Sequence, residues 1–146
     1  MSVHVDFRFH HLGVACESIA AERVDWEALG YSPESAAFVD EAQGIRGRFM
    51  VGGGPRIELL EATDGSATLA PWIKRRVKFY HVGYLVESFD RAIETLVGGG
   101  ASVARSPLMS AYFGARISFL MMPNMALVEV IENLRNFSMP DQEIFS

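Results

Sequence analysis

Four residues of this sequence pair up with a regular spacing. His11 and His81 stand 70 positions apart, and Glu58 and Glu129 stand 71 apart. Each histidine falls in an apolar, β-prone run, at residues 9–14 and 79–84. Each glutamate is flanked by apolar residues, Ile57 with Leu59 and Leu60 in one case, Val128 with Val130 and Ile131 in the other. A carboxylate at that depth is costly unless it is paired or bound to a metal. Two imidazoles and two carboxylates suit one borderline divalent ion: Zn, Ni, Co, Mn or Fe. The carboxylates cancel its charge, and four protein ligands on an octahedral ion leave positions for water or substrate oxygens.

The spacing belongs to a longer repeat. FHHLGV at 9–14 matches FYHVGY at 79–84, ESI at 17–19 matches ESF at 87–89, and RFM at 48–50 matches SFL at 118–120, all offset by 70. IELLE at 57–61 matches VEVIE at 128–132 at an offset of 71, so one residue is inserted between. Two copies are too few for a solenoid and predict a duplicated module. Module one covers about residues 7–62, a linker residues 63–77, module two about residues 78–132, and a tail residues 133–146, all within a single 146-residue domain. Each module reads βαβββ. In the first, a strand over 7–15 precedes a helix over 18–29, from Ser18 as N-cap to Gly30. Strands follow over 35–40, 45–51 and 56–62. In the second, the helix spans 88–97, with Phe89, Ala92, Ile93 and Leu96 on one face and a stop at Gly98-Gly99-Gly100. Its later strands are expected over 101–105, 115–122 and 126–132. The linker carries a helical turn near 69–73. Strand alternation puts Glu61 and Glu132 on the faces opposite Glu58 and Glu129, and sets His10 opposite His11. His4 reads as an exposed terminal residue.

The composition is that of an ordinary globular chain, 49% apolar and 21% charged. The single cysteine, Cys16, excludes an internal disulfide framework and fits a reducing compartment. No apolar run reaches the about 20 residues that span a bilayer, and the N-terminal residues lack the pattern of a secretion signal. The expectation is a cytoplasmic protein without a membrane partner. A net charge of −5 argues against nucleic acid as a partner. The one basic run, Lys74, Arg75, Arg76 and Lys78, reads as a solvated connector.

The doubled pattern FHHLGVA, RIELLE, FYHVGYLV and ALVEVIE resembles the vicinal oxygen chelate superfamily. That group includes glyoxalase I, methylmalonyl-CoA epimerase, extradiol dioxygenases and bleomycin- or fosfomycin-resistance proteins. The resemblance covers about residues 7–132. It implies an α+β fold in which two tandem βαβββ modules form incomplete barrels around a metal-binding cleft, with His11, Glu58, His81 and Glu129 at the ligand positions. It also implies a homodimer. A His/Glu/His/Glu set is similar to bacterial glyoxalase I, while FHHLGVAC and the stretch SPLMSAYFGARISFLMMPNMALVEVIE are similar to the epimerase-like branch. The epimerase pattern has Gln where Glu58 stands. Its further acid/base glutamate would fall at Gly47, with Glu41 or Gln43 as displaced substitutes.

The implied activity is a metal-dependent lyase or isomerase acting on a small thioester or α-oxo substrate, such as an acyl-CoA or a glutathione thioester. The step this resemblance implies is chelation of the substrate by the metal, which stabilises negative charge as a proton leaves the adjacent carbon. A carboxylate near the metal takes and returns that proton, with Glu129 the first candidate for this base and Glu58 the second. The alternatives are a non-catalytic small-molecule binding or resistance protein of the same fold, or a dioxygenase. Arg48, Arg56 and Arg116, with Arg46 as a further contributor, are candidates to bind a substrate carboxylate or phosphate. Strand alternation favours Arg56, which shares a face with Glu58. Tyr84, Tyr112 and Phe113 are candidate pocket walls. The segment 106–114 is expected to form a loop at the cleft rim. Met109, Met121, Met122 and Met125 read as core fillers.

Overall fold

A computed structural model describes residues 5–134; the terminal residue His4 and all but the first two residues of the tail lie outside the described residues. The architecture is mixed α+β, with nine strands and three helices among the described residues, in the order βαββββ, a helix in the linker, then βαβββ. Contacts divide these residues into two compact units: residues 11–81, and residues 5–10 together with 82–134. The divisions fall within β1 (Arg8–Ala15) and β6 (Phe79–Val86).

In the unit of residues 11–81 the strand order is β2 (Ser32–Pro33), β4 (Ile45–Val51), β5 (Ile57–Ala62), β1, with β3 (Phe38–Asp40) also on β4. β1 and β5 run parallel; β4 is antiparallel to β5. The strand expected over 35–40 is confined to β3, and a separate two-residue piece, β2, precedes it. Proline at position 33 fixes its backbone and cannot donate a ladder hydrogen bond, so the strand breaks there. The chain rejoins β4 through β3. One face of this sheet carries α1 (Ile19–Ala28). Val14, Cys16, Ile19, Tyr31, Met50, Ile57 and Leu59 are buried together beneath it. Ser18 starts α1 by accepting a hydrogen bond from the Ala21 N–H at 3.2 Å. The helix buries only Ile19; Val24 and Leu29 are exposed. On the other face, Ala15, Ile45, Leu60 and Leu69 form a second cluster, against which Trp72, Ile73 and Tyr80 pack. Trp72 and Ile73 belong to α2 (Ala70–Arg75), the helix that the linker supplies.

In the other unit the order is β6, β9 (Leu127–Glu132), β8 (Arg116–Met121), β7 (Ser102–Met109), with β6 and β9 parallel. Here α3 (Phe89–Gly98) presents the apolar face that the sequence predicts. Phe89 and Ala92 are buried with Val86, Ala101, Leu120, Val128 and Val130, and Ile93 and Leu96 pack alongside. Full burial of a side chain such as Phe89 is worth about 1.5–3 kcal/mol. β7 is longer than expected. The loop anticipated over 106–114 is strand as far as Met109, and only the turn that follows joins β8. Pro107 is tolerated because β7 is an edge strand, and the pairing with β8 absorbs it through register shifts on both sides of Arg105. No helix among the described residues is long and apolar enough to cross a membrane.

Candidate metal centre

Glu58 is the middle of a three-strand arrangement. It pairs with Gly13 on β1 and with Phe49 on β4, so its side chain leaves the sheet on the face opposite α1. His11 leaves β1 on that same face, two residues before Gly13. The Nε2 atom of His11 lies 3.0 Å from Glu58 Oε1. His81 Nε2, from the first residues of β6, lies 3.5 Å from the same oxygen and 3.0 Å from His11 Nε2. All three residues are buried, His11 completely. The His11 ring meets Phe49 edge-on with centroids 5.2 Å apart, and the His81 ring meets Tyr80 in the same way at 4.6 Å.

These distances fit a common cation. Ligands about 2.1 Å from one ion stand about 3.0 Å apart at right angles and about 3.4 Å apart at the tetrahedral angle. The three separations span that range. Imidazole nitrogen and carboxylate oxygen are donors that Zn and its neighbours accept, so this His and Glu cluster could hold a divalent metal.

Glu129 sits in its own unit at the position that corresponds to Glu58. It pairs with Gly83 on β6 and with Phe119 on β8, as Glu58 pairs with Gly13 and Phe49. It is 4% exposed. The neighbouring acids turn the other way. Glu61 Oε1 accepts the Ile19 N–H at the start of α1 at 2.7 Å, and Glu61 Oε2 accepts from Arg46 at 3.2 Å. Glu132 accepts two hydrogen bonds from Arg116, at 3.1 and 2.9 Å. The hydrogen bonds from Arg116 hold the Glu132 carboxyl below its ordinary range, against the opposing effect of burial.

The candidate substrate contacts fall in different places. Arg48 pairs with Leu59 and so lies on the α1 face, opposite Glu58; its Nε is buried with no hydrogen-bond partner among the described residues. Arg116 is on the α3 face, opposite Glu129. It is held by Glu132 and Asp90, with its guanidinium 4.6 Å from the Phe89 ring centre. Tyr84 pairs with Val130 and packs into the cluster under α3, edge-on to Phe7 and Phe9. The pairing registers thus place Arg48 on the face opposite Glu58, and Arg116 and Tyr84 on the face opposite Glu129. Arg46 shares the α1 face with its partner Glu61. Arg56 keeps the parity of Glu58 and is bonded to Glu34 at 3.0 Å, with both side chains largely buried. Tyr112 lies in the turn after β7, its ring edge-on to the buried Phe113 at 5.0 Å. Cys16 is no nucleophile: burial pushes its thiol up to about 12, and it donates to the Leu60 carbonyl at 3.4 Å.

Several functional neighbours escaped the sequence reading. At Gly47, where the resemblance places a further acid/base residue, the Phe38 ring takes the space. A Cβ there would fall 2.7 Å from Phe38 Cε1 and closer still to Cζ. Phe38 in turn stacks on Phe49, with centroids 6.1 Å apart. Glu41 is exposed, and Gln43 is tied into its turn by Asp40, which accepts from the Gln43 side chain at 2.8 Å. Glu34 as the partner of Arg56 left no trace in the repeat. The Arg46–Glu61 and Arg116–Glu132 pairs did: they recur at the offsets of 70 and 71.

Residues 10–119 match the family model described as the glyoxalase/bleomycin resistance protein/dioxygenase superfamily. Among curated protein sequences none matches the chain. Solved structures do. A hypothetical protein from Bacillus halodurans C-125 superposes with a TM-score of 0.77 at 24% identity, over 92% of this chain and 99% of that one. A variant methylmalonyl-CoA epimerase from Streptomyces coelicolor, in complex with 2-nitronate-propionyl-CoA, gives 0.71 at 25% identity, over 86% and 96%. The methylmalonyl-CoA epimerase from Mycobacterium tuberculosis gives 0.71 at 20% identity, over 87% and 88%.

Proposed function

Because the chain belongs to the glyoxalase/bleomycin resistance protein/dioxygenase superfamily, we propose that it is a divalent-metal-dependent lyase or isomerase. Its substrate would be a small thioester or α-oxo compound that loses a proton next to its carbonyl. His11, Glu58, His81 and Glu129 would hold one divalent ion, Zn, Ni, Co, Mn or Fe. When bound, such an ion polarises a chelating carbonyl and stabilises negative charge on its oxygen. The chain's own part is proton handling. A carboxylate buried in an apolar strand, as Glu129 is, takes the proton from the substrate carbon and returns it to the same or the neighbouring carbon. Glu58 is the second candidate for that role. Its contacts with both imidazoles favour a fixed ligand over a mobile base.

The observation that carries this reading is the meeting of His11, Glu58 and His81 at 3.0–3.5 Å in a buried setting. The likeness to an epimerase holding a propionyl-CoA analogue supports an acyl-CoA among the substrates. Phe38 over Gly47 weighs against a two-base epimerisation of the kind the resemblance describes, and favours glyoxalase-like chemistry run by the metal-flanking carboxylates. The reading includes a homodimer in the cytoplasm, which sedimentation across a wide concentration range would check.

The test is solvent deuterium exchange. Protein reconstituted with each candidate metal is incubated in heavy water with an acyl-CoA or with a hemithioacetal. Incorporation of deuterium next to the carbonyl, lost on chelation, is the expected result. Tight binding of these compounds without exchange under any metal would favour the binding-protein alternative.

A further inference from the structure

This inference rests on the metal reading above and concerns a residue without a side chain. Gly13 lies inside β1, paired with Glu58 on β5. Glycine within a strand weakens it, and usually marks a bulge or a close approach. The β1–β5 register runs unbroken from Leu12 to Ala15, so there is no bulge. Gly13 is not among the glycines with positive φ, so its backbone conformation is open to any residue. What remains is clearance. A Cβ on Gly13 would fall 2.6 Å from His81 Nε2, and closer still to Cε1 and Nδ1 of the same ring. That ring is rigid, its side chain is 1% exposed, and it packs edge-on against Tyr80. It has little room to step aside.

We propose that Gly13 is a positioning residue for the metal centre. Its missing side chain leaves the space in which the His81 imidazole lies, and so lets Nε2 come within 3.0 Å of His11 Nε2 and 3.5 Å of Glu58 Oε1. The three atoms nearest a methyl group at position 13 all belong to the His81 ring, so the substitution displaces that nitrogen donor first.

The experiment uses the full chain carrying Gly13→Ala. Zinc affinity, read by competition with a chromogenic chelator, should fall roughly 10–100-fold, the cost typical of disturbing a group that orients a ligand. The visible ligand-field spectrum of the cobalt-loaded protein should shift as a nitrogen donor moves. In a His81→Ala background the obstacle is gone, and there Gly13→Ala should add no further loss. Wild-type affinity with an unchanged cobalt spectrum would overturn the proposal, as would an equal loss in both backgrounds. If Gly13→Ala does not fold, recovery of the fold in the Gly13→Ala/His81→Ala double variant supports the proposal, and its failure to recover refutes it. A wild-type protein that binds none of Zn, Ni, Co, Mn or Fe defeats the metal reading instead. Clearance is then read from thermal unfolding: destabilisation by Gly13→Ala that vanishes in the His81→Ala background supports it, and equal destabilisation in both contradicts it.

Discussion

The two modules hold the same residue types at the same register positions and differ at their margins. Glu58 stands opposite Gly13 and Phe49, and Glu129 stands opposite Gly83 and Phe119. On the helix-bearing faces, Arg46 pairs with Glu61 beside Ile19, and Arg116 pairs with Glu132 beside Phe89. Beyond β4 the first module ends in two short pieces, β2 and β3, with Phe38 folded back over Gly47. Beyond β8 the second ends in one eight-residue edge strand that shifts register twice. Positions fixed from two sides, by a parallel neighbour and an antiparallel one, stayed alike. Edges with one neighbour were free to diverge, and there the first module carries Phe38 over Gly47.

Equivalent position need not mean equivalent role, and the sharpest way to break the symmetry is chemical. Glu129→Gln keeps an oxygen donor and nearly the same shape. If Glu129 is the base, proton exchange should fall by ~10²–10⁴ with metal content retained. Glu58→Gln should leave exchange far less affected. Equal losses would make the two glutamates a symmetric pair, and intact exchange in both would exclude either as an essential base.

Next in size is the aromatic support found in the first module. Phe49 is fully buried between Phe38 and the His11 ring. Phe49→Ala should cost about 3–5 kcal/mol in urea unfolding, as large-to-small changes of buried aromatics do. It should also weaken metal binding by freeing His11. Destabilisation with unchanged metal affinity would show that His11 is oriented by other groups.

The helix starts offer a smaller test. Ser18 Oγ accepts from the Ala21 N–H, whereas the side chain of Ser88 makes no capping bond. Ser18→Ala should cost about 1 kcal/mol and Ser88→Ala clearly less. Equal costs would mean that Ser88 caps in solution as Ser18 does.

The smallest effect concerns the ion pairs. Arg116 bonds both oxygens of Glu132, while Arg46 makes a single contact with Glu61. Arg116→Ala should therefore lower the urea midpoint more than Arg46→Ala. Because Arg116 holds the Glu132 carboxyl below its ordinary value of 4.5, the pair stabilises the fold above that pH. The contribution disappears as pH falls through the depressed value. The gap between wild type and Arg116→Ala should close on acidification from pH 7; a gap that persists at the acid end would contradict the assignment.

The repeat made much of this legible in the sequence. A matched His and Glu in each copy singled out the candidate donors, and alternation separated Glu58 from Glu61 and Glu129 from Glu132. Period and caps located α1 and α3, and β4 was found at 45–51 without error. The faces of Arg48, Arg116 and Tyr84 were not legible, because the face of a side chain depends on its strand's register against its neighbour, which one sequence does not reveal. The extension of β7 through Pro107 was missed because proline ends most strands, and only an unpaired edge excuses it. Phe38 over Gly47 joins residues of different strands that no motif links.

The central claim is that His11, Glu58 and His81 are ligands and not merely a hydrogen-bonded cluster. Metal content of the purified protein, measured by inductively coupled plasma mass spectrometry after dialysis and repeated on His81→Ala, tests it most directly. One equivalent of a divalent transition metal per chain, lost in the variant, is the predicted result. A wild-type protein that stays metal-free after incubation with Zn, Ni, Co, Mn and Fe would contradict it.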